Sequence, residues 1–373
     1  MGRRGRRVLG AAVAATAVGG ALASGGSRFA AAAASVPPVD LEPDPPAGEQ
    51  PCEWVKPIAT IGLLPDGSPA STQDPRAEIV STFRSATGLE WTERSIPKDW
   101  VASDHSDAEN ERFGIPARPK DPDGLRTWNE AAPRFHTEIG ERCVNTTPDF
   151  HYGTTNTSNW SGVAVNSAQN GITNVQMAWV QPSLVSHCAH SSMHAIWTGI
   201  GGYKNGSQAL VQAGFDATTG PYGGTGPIND SVAWWELLPA GPVFNPSVHL
   251  VSGQTASSTV SANATNALFS VVNWSTGVVW NAGTAVGPGQ YDGTSAEVVD
   301  ELIYGNGPGG FPWEFRRTTN PTISTPTFNN GTTFASAGAL VDNVNLTRGS
   351  GFIGVGFFNS GSNQASETWQ KCI

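Results

Sequence analysis

From about residue 156 onward, apolar and polar positions alternate in short runs, each bounded by Gly, Pro, Asn or Asp. NWSGVAV, NVQMAWVQP, HAIWTGIGG, ALVQAGFD, VAWWELLP, SVHLVSG, SSTVSANA, LFSVVNW, GVVWNAG, AEVVDELIYG, GTTFASA, ALVDNVNLT, GFIGVGFF and SETWQKC all have this form. A period of two between turn residues predicts strands, and no helical period intervenes. The pattern therefore predicts an all-β domain over residues 151–373, an antiparallel β-sandwich or jelly roll. Because strand side chains alternate, Leu210, Gln212, Gly214 and Asp216 share one face, and Val211, Ala213 and Phe215 take an apolar opposite face. By the same count Trp234, Glu236 and Leu238 lie together, as do Glu297, Val299 and Glu301. A half-exposed sheet with a wet side would explain this much.

The pattern ahead of residue 151 is different. Residues 1–34 open with RRGRR and continue through the apolar run VLGAAVAATAVGGALA to small-residue sites, which predicts an export signal. The paired arginines keep a twin-arginine route open, and the run is too short and too rich in Gly and Ala for a membrane span. Residues 35–50 form a Pro-rich acidic linker. Residues 52–150 carry many charges and helix-like pieces. SDAENERFG offers Ser106 or Ser103 as a cap and Gly114 as a stop, and LRTWNEAAPRF follows DPDG. The whole of 35–150 is expected to be a propeptide or a small, partly helical N-terminal extension packed on the main domain.

Composition narrows the classes. The formal net charge is −10, and falls to −15 without the first 28 residues and their five arginines. That excludes nucleic acid and anionic membrane as natural partners. Only 14% of residues are charged, and 44 are glycine, in keeping with strands and turns. Cys52, Cys143, Cys188 and Cys372 form an even set, which suits two disulfides in an oxidising, extracellular compartment, with three pairings open. No two cysteines have zinc-ligand spacing.

The succession NWSG (159–162), WTGIGG (197–202), LVQAG (210–214), AWWELLP (233–239) and SAEVVDE (295–301) resembles the eqolisin family of glutamic peptidases, in order over about residues 156–373. That resemblance implies a curved β-sandwich and an acid-active, metal-independent endopeptidase with no cofactor. It implies Glu297 as the base that activates water and Gln212 as the amide that stabilises the oxyanion. It also carries Trp234, Glu236, Glu301 and Trp160 to positions lining the same cleft. Protein or peptide substrates follow from it; the export signal and the cysteines make the enzyme a secreted one, expected to be a monomer. Two departures stand out: Gly201 replaces an Asp found in fungal members, and Val298 replaces a Trp.

Other constellations compete with this reading. His187, His190 and His194 with Cys188 are a candidate metal cluster, weighed against a tethered loop with solvated histidines. There is no G-x-S-x-G elbow for a serine hydrolase. Asn156, Asn263, Asn273 and Asn345 head Asn-x-Ser/Thr sites that matter only where the host glycosylates. The GPYGGTGP segment (220–227) suits a flap or plain turns. Two rivals from other classes remain: a glycosidase using Glu236 and Glu297, and a lectin-like module stacking sugars on Trp234 and Trp160.

Overall fold

The computed structural model describes residues 52–145, 156–157, 159–167, 171–182, 194–203, 207–218, 230–302, 322–329, 331–337, 341–348 and 351–369. Contacts divide the chain into Met1–Pro43, none of which is described, and Asp44–Ile373, to which everything below belongs. The export signal, the linker, Cys188, Cys372, His187, His190 and the GPYGGTGP segment all lie outside the described residues.

Along the chain the strands are β1 (Cys52–Val55), β2 (Ala59–Leu63), β3 (Pro69–Ala70), β4 (Glu78–Arg84), β5 (Glu90–Arg94), β6 (Arg142–Asn145), β7 (Asn156–Thr157), β8 (Trp160–Asn166), β9 (Asn174–Val180), β10 (His194–Gly201) and β11 (Leu210–Thr218). They continue with β12 (Asp230–Leu237), β13 (Val243–Val251), β14 (Thr255–Ala262), β15 (Asn266–Asn273), β16 (Val278–Ala285), β17 (Ser295–Leu302), β18 (Thr322–Phe328), β19 (Thr332–Thr333), β20 (Val341–Arg348), β21 (Gly351–Asn359) and β22 (Gln364–Trp369). Helices α1 (Asp107–Glu111), α2 (Pro122–Ala131) and α3 (Phe334–Ala337), with 3-10 turns at Ala102–Asp104 and Ala132–Arg134, complete the described elements.

The first sheet runs β1-β6-β13-β12-β11-β10-β17-β8-β20. The second runs β3-β2-β4-β5-β16-β15-β14-β9-β18-β22-β21-β20. Strand β20 belongs to both, its first half paired with β8 and its second with β21. The expected antiparallel β-sandwich is thus the observed fold.

The alternation read from the sequence sorts the two faces of the first sheet. Val211, Ala213 and Phe215 of β11, with Trp235 and Leu237 of β12, enter the core between the sheets. There Trp235 stacks on Phe269 of β15 at 4.7 Å, and Phe215 meets Trp179 of β9 edge-on at 5.9 Å. Burial of each such side chain stabilises by about 1.5–3 kcal/mol, so this face anchors the register. The opposite face carries a separate apolar cluster that includes Trp160, Trp197, Leu210, Trp234 and Val299.

Residues 52–145 are richer in strands than their charge pattern suggests. Strand β6 pairs with β13 and β5 with β16, so this region widens both sheets. Its buried charges are paired. Glu78 accepts from Arg94 and Arg112, each at 2.6 Å, and the buried Arg142 grips Glu93 through Nε and Nη2. A third apolar cluster joins Ile96, Phe113, Trp128 and Phe135 to Val272, Trp274 and Val279 of the sandwich. Helix α1 has the anticipated Ser106 cap, closed as a capping box by Glu109.

GTTFASA departs from its strand reading: after two residues in β19, Phe334–Ala337 turn into α3. The Thr333 hydroxyl accepts from the Ser336 amide at 3.2 Å, a local bond that competes with sheet pairing.

Candidate active site

The site is built on one row of the first sheet. Glu236 of β12 stands opposite Gln212 of β11, Gln212 opposite Gly199 of β10, and Gly199 opposite Glu297 of β17. Beyond Glu297 the row continues to Ala164 of β8 and Asp342 of β20. Residues directly opposed across antiparallel strands project to the same side. Gln212 and Glu297 therefore face one another over Gly199, their Cα atoms two strand spacings or roughly 10 Å apart. The expectation that these two side chains share a face is met by the register.

Gly199 keeps that gap narrow. A Cβ there would stand 2.8 Å from the Trp197 ring and 3.2 Å from Leu210 Cδ1, because these neighbours already lean over the glycine. Gly199→Ala is expected to lower stability by about 1–3 kcal/mol through overpacking and kcat by about 10²-fold through displacement of the flanking groups. Thermal melts and steady-state kinetics check both, and full activity in this variant would exclude Gly199 as the spacer.

Trp197 is itself held from two sides. Its indole N–H donates to Glu301 Oε2 at 2.8 Å, and Asn159 Nδ2 donates to the other oxygen, Oε1, at 2.7 Å. The Trp160 ring meets Trp197 edge-on at 4.9 Å. Trp160, Glu301, Trp234 and Glu236 are all buried. Stacking platforms for sugars need an open ring face, which Trp160 and Trp234 lack.

Gln212 and Glu297 are 1% and 0% exposed. Gln212 Nε2 donates to Glu236 Oε2 at 2.5 Å, which fixes the amide plane. Gln212 Oε1, both carboxylate oxygens of Glu297 and the indole nitrogen of Trp234 have no hydrogen-bond partner. Each such buried group ordinarily costs about 1–3 kcal/mol. Unpaired indoles also occur in the inter-sheet core, at Trp235 and Trp280, so the significant feature is the convergence of four unpaired atoms on one face. Burial pushes the Glu297 carboxyl well above the usual carboxylate range; the Ser295 hydroxyl on the same face opposes this, and the Asp292 charge adds to it. The Ser295 hydroxyl makes no hydrogen bond to the carboxyl, and burial is the largest of the three influences.

Two residues near the row were not singled out by sequence: Asp342, whose carboxylate accepts from Tyr203 at 3.2 Å, and Asp292. Gly201, the first departure from the family pattern, has a backbone reason. Its φ is +87°, and a Cβ would lie 2.4 Å from the Ala209 carbonyl oxygen. No aspartate fits there. Among the described residues no cluster of His, Cys, Asp and Glu could hold a metal ion.

A model described as the Peptidase A4 family matches residues 158–357, more than half of the chain. The chain belongs to the Peptidase A4 family. It is an eqolisin-like glutamic peptidase, and the matched span contains every residue of the row from Ala164 to Asp342. Among solved structures, scytalido-glutamic peptidase with a transition state analog inhibitor is 18% identical, with a TM-score of 0.45 over 57% of this chain and 98% of that one. SCP-B, a member of the eqolisin family bound to the tripeptide Ala-Ile-His, is also 18% identical, with a TM-score of 0.44 over the same shares. No curated protein matches this A4 peptidase.

Proposed function

We propose that this A4 peptidase is a secreted, monomeric endopeptidase that cleaves protein or peptide substrates in the acid range, without a metal ion, through Glu297 and Gln212. The observation that carries this reading is the pair itself: a carboxylate and an amide facing each other across a glycine, buried, with three of their oxygens unpaired. A buried, disulfide-bonded Cys143 supports the oxidising compartment.

In the reaction, ionised Glu297 accepts a proton from water as the water oxygen bonds to the scissile carbonyl carbon. The carbonyl electrons move onto oxygen, and the second N–H of Gln212 donates to that oxyanion while the first stays on Glu236. When the tetrahedral species collapses, the C–N bond breaks and Glu297 returns the proton to the leaving nitrogen. The raised proton affinity of Glu297 strengthens it as a base and places its working range on the less acid side of the ordinary carboxylate value. Glu236 orients Gln212, Glu301 and Trp160 hold Trp197 over Gly199, and the free indole N–H of Trp234 is available to a substrate carbonyl. The glycosidase alternative finds Glu236 engaged by Gln212 and three strands from Glu297.

The test is proteolysis of a denatured protein from acid to neutral pH, with pepstatin and a chelator present, in wild type and Gln212→Ala. Activity that survives both inhibitors and falls about 10²–10³-fold in kcat on losing one oxyanion donor supports the reading. Unchanged kcat in Gln212→Ala, or loss of activity to the chelator, overturns it.

A further inference from the structure

The connection between β16 and β17 brings a carboxylate to the edge of the catalytic row. Asp292 lies there, half-buried, with both oxygens engaged. The Ser207 hydroxyl donates to Oδ2, and the backbone amide and hydroxyl of Thr294 donate to Oδ1, each at 2.9 Å. Ser207 is in turn tied to the backbone just past the end of β10, accepting from the Gly202 amide at 3.1 Å. A Cβ at Gly201 would stand 3.0 Å from Asp292 Oδ1. The left-handed glycine is thus the opening through which this carboxylate reaches the sheet. Gly201 lies two residues from Gly199, a strand rise of roughly 6.6 Å, so the charge sits beside the gap between Gln212 and Glu297.

We propose that Asp292 is a positioning residue of the reaction: fastened by Ser207 and Thr294 beside Gly201, its carboxylate sets the electrostatic field in which Glu297 takes up and returns its proton. A negative charge near a buried carboxyl favours the protonated form, and Asp292 acts on Glu297 in that sense. It acts likewise on its neighbour Tyr291, where burial contributes more. The other titratable groups on this face around Glu297, among the described residues, are Glu236 beyond Gln212, Asp342 with Tyr203 beyond Ala164, and Glu301 and Asp216 four residues along β17 and β11. Glu236, Glu301 and Asp342 have their own donors, in Gln212, in Asn159 and Trp197, and in Tyr203. Asp292 differs in standing on a connection beyond the strand ends, fastened there to the Ser207 hydroxyl and to the amide and hydroxyl of Thr294.

The proposal rests on Glu297 as the base, so its test has two readouts. The first is kcat/KM against pH for wild type and Asp292→Asn. The second is denaturant stability against pH for both, each with and without Glu297→Gln, which reports the proton affinity of Glu297 regardless of activity. Asp292→Asn keeps an acceptor for Thr294. It is expected to move the acid limb of kcat/KM to lower pH, making the variant several-fold more active than wild type on that limb and slower on the plateau. In the second readout the stability gained by Glu297→Gln should level off at a lower pH when Asp292 is neutralised. A uniform loss of rate with an unmoved limb and unmoved stability curves would mean a purely structural Asp292 and overturns the proposal. Shifted stability curves with an unmoved activity limb would support the coupling and instead sink Glu297 as the base.

Discussion

Replacing Glu297 by Gln is expected to lower kcat by about 10³-fold or more, the scale of a lost general base, and to make the protein more stable at neutral pH. Both follow from the same burial. The Glu297 carboxyl has a folded-state proton affinity well above the usual value of 4.5. Its favourable contribution is therefore fully present below 4.5 and is lost as pH rises through the folded value. Above that point the fold must hold a buried carboxylate with neither oxygen paired. Gln removes the charge at nearly the same volume. The stability difference should be near zero below about pH 4 and should grow by about 1.4 kcal/mol for each pH unit up to the folded value. Denaturant melts of both proteins between acid and neutral pH check this, and a variant destabilised at pH 7 would contradict it. Gain of stability with loss of activity is the signature of a residue kept for chemistry.

Residues 156–373 produced without 1–155 are expected not to fold. The row from Ala164 to Asp342 lies wholly within that fragment, so sequence motifs alone would nominate it as the minimal enzyme. Yet β13 would lose β6 and β16 would lose β5. Val272, Trp274 and Val279 would lose the partners that bury them, and Trp235 would lose Trp91. Four large side chains at about 1.5–3 kcal/mol each amount to most or all of the roughly 5–15 kcal/mol that holds an ordinary domain folded. Circular dichroism, solubility and cooperativity of unfolding decide the matter. A truncated chain that melts cooperatively and cleaves substrate would return residues 52–145 to the status of a dispensable propeptide.

Legibility differed between the two halves of the chain for a physical reason. In the second half, alternation sorted Gln212, Glu236 and Glu297 onto the side away from the core within each strand, because their immediate neighbours Val211, Ala213, Trp235, Leu237, Ala296 and Val298 are apolar and enter it. The partner strand was invisible, and so Gly199 and Trp197, which lie in the WTGIGG motif, could not be recognised as the spacer and its cover until the register aligned them. In the first half, EIVSTFR and EWTER read poorly as strands because Glu78, Arg94 and Glu93 interrupt the apolar pattern. Their neutralising partners, Arg112 and Arg142, are 34 and 49 residues away. Asp292 was hidden in the same way, since its significance depends on Gly201 more than ninety positions earlier. The short helix at Phe334–Ala337 turned on a single hydroxyl.

The pairing of β5 with β16 also dictates an order of events in synthesis. The Thr92 hydroxyl donates to the Gly283 carbonyl at 3.5 Å across a separation of 191 residues, so the first strands emerge from the ribosome long before the strands that complete them. Trp91 and Phe83 must wait as exposed aromatic surface while the 191 residues that separate Thr92 from Gly283 are made. Such distant closure makes folding slow and the waiting chain prone to association. A polypeptide of this topology is therefore suited to being kept unfolded until it is complete, by a chaperone or by passage through a translocon, and only then allowed to close.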